Sequence, residues 1–354
     1  MDDNQQTRTE EYLTTQEPLR SNAFLLIMQM LEWSKQNPGG QHLVEEMLHG
    51  IFFLGEINRI PYSPEMIFGS DVVMLQNLKQ SYPDPFEFYL SQLPKRSPFS
   101  CVLDMVVYLA EEWNENLIKH MLQNINRQTQ TNTNDLNTKH LISSTACVSV
   151  CEEDKREEKG KEKEVCVSQK DENPDSVRYY GVSMSTSGGD VGQIVIAASC
   201  LSYWDNYVAD AVMTYYPRQV KKKYFDGTIK LPQVRCKAFS ISDGVEMSPC
   251  RSCQNLFGLR NYTADRSVPG KWAYGNCAEA ESLSNLLKNE SGIKEQVRPT
   301  SATYTDENRK KAKRHVLNNL RGVLGEIRKR NEKSKRIPAF EWNGMIYPNT
   351  QLRL

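Results

Sequence analysis

The residues best suited to chemistry are three cysteines and a glutamate in two short motifs, Ser248-Pro-Cys-Arg-Ser-Cys253 and Gly275-Asn-Cys-Ala-Glu279. Ser248 is a good helix N-cap and Pro249 a good first helical residue. That start places Cys250 and Cys253 one turn apart on one face, at the positive end of a helix, where thiolates are favoured. Two thiolates at this spacing can share a Zn²⁺ ion. Gly275-Asn276 reads as a turn, and Cys277 begins a helix with the apolar stripe Leu283, Leu286 and Leu287. Three cysteine ligands leave a fourth zinc position for water, the arrangement of a catalytic rather than a structural site. Glu279, two residues past Cys277, can then shuttle the water proton. Two other readings stay open from the residues alone. Cys236 can complete a four-cysteine structural zinc site, with Glu279 a helix-start carboxylate, or the thiols can bind no metal.

The pair of motifs resembles the cytidine deaminase superfamily, in the three-cysteine form typical of free-nucleoside deaminases. Some bacterial toxin deaminases look similar around Asn276-Cys-Ala-Glu279. The resemblance implies zinc held by Cys250, Cys253 and Cys277, with Glu279 as general acid and base during attack on a pyrimidine C4 or purine C6. It covers about 35 residues plus a compatible α/β pattern behind them. In that superfamily the Cys-Ala-Glu helix precedes the Pro-Cys-x-x-Cys helix, whereas here it follows. Two helices need only aim their N-termini at one point, so a permuted connection builds the same site. No substrate-contact residue carries over.

The elements that must position these residues fall into three zones. Residues 17–127 read as an all-α bundle, with apolar spacings of three and four after Ser21, in Leu43–Phe52 and after Pro98. Met28, Met30, Met47 and Met121 are expected in its core, and His42 and His49 at its surface or core edge. Residues 128–176 read as a polar and charged spacer. Within it, 152–164 carries seven acids, five bases and no apolar residue, too little to offset chain entropy. Cys147, Cys151 and Cys166 lie in this zone and receive no role.

Residues 177–354 read as an α/β layered domain; the resemblance implies the deaminase-like, three-layer type, in permuted order. Strands are expected at 177–185, 192–199, 234–242 and 338–347, with a turn at Ser187-Gly-Gly-Asp190. Helices are expected at 202–216 and 306–331. Ser187-Gly-Gly-Asp-Val-Gly192 lacks the Lys-Ser/Thr ending of a phosphate-binding loop.

Composition bounds the function. The 354 residues carry 44 basic and 44 acidic side chains, so any argument for a polyanionic partner must be local. Arg309–Arg336 provides one, with twelve Lys/Arg against two Glu. Lys310, Lys311, Lys313 and Arg314 are candidate phosphate contacts or, with Arg309, a nuclear import signal; a solvated helix face is the plainer reading. Trp204, Trp272 and Tyr274 can stack a base or line a wall. The longest apolar run, Ala23–Met28, is far shorter than a membrane span. Nine cysteines and no export signal at the N-terminus point to a reducing compartment, cytoplasm or nucleus. The function that the resemblance implies is that of a zinc-dependent hydrolase. It would deaminate a nucleoside, a nucleotide or a nucleobase in single-stranded nucleic acid. The other expectation is a non-catalytic interaction or nucleic-acid-binding protein, for example in innate immunity, with a zinc-stabilised domain.

Overall fold

A computed structural model describes residues 3–58, 61–69, 71–111, 114–129, 141, 145–151, 177–184, 189–231, 234–259, 273–333 and 339–348. The N-terminal part contains α1 (Asp3–Gln36), α2 (Gln41–Ile57), α3 (Pro64–Phe68), α4 (Val72–Ser81), α5 (Pro83–Phe88), β1 (Leu93–Pro94), α6 (Pro98–Ala110) and α7 (Glu115–Thr129). Then follow β2 (Thr145–Cys151), β3 (Arg178–Val182), α8 (Asp190–Ala198), a π-helical turn (Ser199–Tyr203) and α9 (Asn206–Met213). The remainder is β4 (Val234–Ser240), β5 (Glu246–Met247), α10 (Arg251–Phe257), α11 (Ala278–Asn289), α12 (Ser291–Gln296), α13 (Asp306–Lys333) and β6 (Ile346–Tyr347).

Local chemistry sets several helix starts. Ser63 and Ser97 each precede a proline, and their side chains accept from the backbone N–H of Met66 and Ser100. Asp71 caps α4 by accepting from Met74. Such caps satisfy N–H groups that the helix itself leaves open. The bundle buries α2 on nearly every face, around Met30, Met47, Phe52, Phe53 and Phe99. Met28 departs from the expected core and is 42% exposed. His49 is fully buried and stacks on Tyr347 with ring centroids 3.9 Å apart, and burial holds it neutral by lowering its pKa to about 3.

The larger sheet has the order β3-β2-β4-β5, all neighbours antiparallel. Its central strand corrects the expected spacer: β2 lies inside 128–176, pairing Cys147 with Gly181 on one side and with Ala238 on the other. Ala146, Val148 and Val150 alternate with Cys147 and Ser149, and all five are buried. A strand buried on both faces shows little polar alternation, and the charged residues after Cys151 masked this short run. Residues 152–176, the charged part of that zone, lie outside the described residues.

Helices cover both sheet faces. On one, Gly181 lets α11 approach β3 so closely that an added Cβ would sit 2.2 Å from the Ser282 nitrogen. On the other, α7 places Glu115 3.9 Å from Arg178 and Lys119 over the Phe239 ring at 4.7 Å. The three layers are thus helix, sheet and helix, with one outer helix supplied by the N-terminal zone.

Two further expectations are corrected. Residues 192–199 are helical, not a strand, so no hairpin follows Gly189, which caps α8. A short apolar run buried all round has no period that distinguishes strand from helix. The terminal strand shrinks to Ile346–Tyr347 and pairs in parallel with Leu93–Pro94 of the bundle. Phe340 also packs edge-on against Phe53.

A buried polar cluster joins the two halves. Arg96, 5% exposed, donates to Glu46 at 2.8 Å, to Asp104, and to the Tyr203 hydroxyl at 2.8 Å, and lies 4.0 Å from Glu281 on α11. Ser100 of α6 also donates to Glu281 at 3.1 Å. Burial pushes the Glu46 carboxyl up, but Arg96 and Lys95 overcome it and hold it at about 2.

Candidate metal centre

Cys250 is the N-cap of α10 rather than a residue of its first turn, and Cys253 is its third residue. Cys277 is the N-cap of α11. Two helix N-termini therefore converge on one point. The Cys250 sulfur is 3.7 Å from that of Cys253 and 3.2 Å from that of Cys277, and all three lie within 4.8 Å of one another. A tetrahedral zinc with bonds of about 2.3 Å sets its sulfurs about 3.8 Å apart, so the donor set fits such an ion with small adjustments. Among the described residues these three form the one cluster of metal-ligating type. Cys236 lies outside it: its sulfur is 3.2 Å from that of Cys147, which removes the four-cysteine alternative.

The thiols share charge. Hydrogen bonding with Cys253 and Cys277, together with backbone N–H groups of the first turn of α10, pulls the Cys250 thiol well below its usual range. The same contacts push Cys253 and Cys277 up. Glu279 is 4% exposed, and burial foremost raises its carboxyl to about 7, with the Cys250 charge adding to the rise. A carboxyl poised near neutrality can both take and return a proton.

The surrounding chain fixes this geometry. Gly275 has φ +89, and a Cβ there would meet Val212 at 2.9 Å, so the turn before Cys277 tolerates glycine alone. The Asn276 carbonyl accepts from the Met184 N–H at 2.9 Å. Asn255 of α10 donates to the Tyr274 hydroxyl at 2.7 Å, and the Tyr274 ring stacks on Tyr215 at 3.9 Å. Helix α11 is held through Ser282, which shares a hydrogen bond with Ser149 at 2.6 Å and donates to the Tyr179 carbonyl. Trp204 is 3% exposed and belongs to the core, and Trp272 lies outside the described residues.

The basic helix divides by face. Lys310, Lys311 and Arg314 are exposed. Lys313 is half-buried and its charge acts on Asp210, which also pairs with Arg309 at 2.7 Å. Arg309 is therefore an anchor of α13. Sequence reading passed over a second basic segment, Arg218–Lys223, that folds against the exposed face. Tyr224 lies 3.4 Å from the His315 Nδ1, Lys311 sits over the Tyr224 ring at 4.5 Å, and Lys222 and Arg218 add to burial in lowering the His315 pKa. The run Lys221-Lys-Lys223 was visible, but its partner is about 90 residues away.

Among the described residues no helix is long and apolar enough to cross a membrane. Comparisons with protein-family models, curated proteins and solved structures find no match for this chain.

Proposed function

We propose that the chain is a zinc-dependent hydrolytic deaminase acting on a nucleoside, a nucleotide or a nucleobase in single-stranded nucleic acid. The observation that carries this reading is the convergence of three thiol sulfurs within 4.8 Å of one another, beside the buried carboxyl of Glu279. Cys250, Cys253 and Cys277 would hold the ion. Zinc supplies the positive charge that makes water nucleophilic near pH 7. Glu279 would pass one water proton to the ring nitrogen and then carry the second, from the newly added hydroxyl, to the amine, which leaves as ammonia as the C–N bond breaks and the carbonyl forms. The exposed cations Lys310, Lys311 and Arg314, with Arg218 and Lys223, suit a phosphate backbone, whose affinity would fall steeply with salt.

The test is zinc content by mass spectrometry, together with ammonia release from a panel of nucleosides and single-stranded oligonucleotides. Wild type should hold one zinc per chain and turn over at least one member, and Glu279→Gln should keep the zinc and lose turnover by a factor of at least 100. A metal-free chain, or full activity in Glu279→Gln, overturns the reading.

One observation favours a second reading. Cys253 is 1% and Glu279 4% exposed, so the inner side of the centre is closed, while Cys250 and Cys277 are half-buried. In that reading the zinc is structural, and the domain binds nucleic acid or a protein without catalysis. It expects one zinc, no turnover of any panel member, and loss of the folded state on chelation.

A further inference from the structure

The zinc reading leaves out a second pair of thiols. Cys147, on the central strand, and Cys236, on β4, have sulfurs 3.2 Å apart, and both are free thiols. In register Cys147 faces Ala238 and Cys236 faces Ser149, so the two cysteines lie diagonally across one antiparallel pair. They point to the sheet face that carries α11. Cys147 shares a small buried cluster with Ala238 and with Ala278, the residue after the ligand Cys277. Diagonal placement on one sheet face brings the two short side chains together here, as the 3.2 Å sulfur separation shows.

The two thiols differ in access. Cys147 is fully buried, whereas Cys236 is partly exposed and accepts a hydrogen bond from the Ser149 hydroxyl at 3.4 Å. Cys236 is thus the sulfur that a small solute meets first, and Cys147 waits behind it. Solvent access and a resolving cysteine close by are two of the features that mark redox-active cysteines. Cys101 and Cys200 are also buried, at 1% and 5% exposure, and serve as internal comparisons.

We propose that Cys147 and Cys236 form a redox-active dithiol, oxidised by small peroxides to a disulfide that ties β2 to β4 beneath the metal centre. In the first step the Cys236 sulfur attacks one peroxide oxygen. The O–O bond breaks, one water leaves carrying the thiol proton, and Cys236 becomes a sulfenic acid. In the second step the Cys147 sulfur attacks the Cys236 sulfur. The S–O bond breaks, the hydroxyl leaves as a second water with the Cys147 proton, and the disulfide forms. Two thiols lose two electrons in all, and one peroxide gains them. A dithiol reductant reverses the change by exchange. The disulfide would sit beside Ser149, whose hydroxyl contacts both the Cys236 sulfur and Ser282 of α11. Oxidation therefore acts on the helix that presents Cys277 and Glu279.

The experiment uses the full chain as purified, treated with hydrogen peroxide, blocked with an alkylating agent and mapped as non-reduced peptides. A Cys147–Cys236 crosslink should appear at least tenfold faster than alkylatable thiol is lost at Cys101 or Cys200, and should vanish on adding dithiothreitol. Zinc content measured in parallel should not fall as the crosslink forms. Cys147→Ala should instead leave Cys236 as a sulfenic acid that dimedone traps, which keeps the test informative without Cys147. Crosslinks confined to Cys250, Cys253 and Cys277, or oxidation of Cys236 no faster than Cys101, overturn the proposal. A chain without zinc that still forms the Cys147–Cys236 crosslink supports the dithiol while counting against the zinc reading.

Discussion

Gly181→Ala places the smallest possible perturbation where the sheet meets the metal centre. The new methyl would lie 2.2 Å from the Ser282 nitrogen, 2.7 Å from the Ala278 carbonyl oxygen and 2.9 Å from the Glu281 carbonyl carbon. All three are backbone atoms of α11, so no side chain can swing aside. Reaching ordinary contact requires a retreat of more than about 1 Å between β3 and α11. Overpacking of this kind costs about 1–3 kcal/mol, and the upper half of that range fits an obstacle made wholly of backbone. The motion also carries Cys277 and Glu279, whereas metal ligands must sit within about 0.2 Å of their ideal distances. The variant should therefore lose about 2–3 kcal/mol in urea unfolding and bind zinc at least tenfold more weakly in a chelator competition. Wild-type stability with wild-type zinc affinity would refute the close packing of α11 on β3. Loss of stability alone would show that the helix retreats without tilting its N-terminus.

The other predictions concern separate features. Cys236→Ser should keep its metal, because Cys236 sits with Cys147 and not with the three-thiol cluster, whereas Cys250→Ser should release it; atomic absorption decides both. Arg96→Met should cost about 3–5 kcal/mol, since it leaves the Glu46 carboxylate buried without its main partner; unfolding within about 1 kcal/mol of wild type would contradict this. In the wild type, the Glu46 contribution is complete above about pH 4.5 and lost as pH falls toward 2, because its folded pKa is depressed. Glu281 acts in the opposite sense. Burial raises its pKa to about 7, so stability declines as pH rises from about 4.5 to 7, and Glu281→Gln should flatten that limb of a stability–pH curve. Protease cleavage is expected within the charged stretch 152–164 on composition. The two pieces should still co-elute in gel filtration, because β2 from the first pairs with β3 and β4 of the second; separation without denaturant would contradict the shared sheet.

Local chemistry was legible in the sequence wherever it depended on near neighbours. The helix start at Cys277, the strands at 178–182 and 234–240 and the long helix beginning at Asp306 follow from caps, turn residues and apolar periods, whereas α10 begins later than the Ser248 cap predicts, with Cys250 itself as the cap. The candidate ligands and Glu279 were legible for the same reason, since each motif spans one helical turn. What the sequence could not decide depended on contacts between distant segments. Strand β2 was hidden because a strand buried on both faces carries no alternating polar signal, and α8 was misread because a short apolar run suits strand and helix equally. The bundle and the sheet were read as separate modules, although α7 covers one sheet face and the chain end returns to β1. Cys236 could not be assigned from spacing: only the β2–β4 register sets it beside Cys147 and away from the three-thiol cluster. Residue spacing fixes which groups share a turn, but which turns share a site depends on packing, and packing is a property of the whole chain.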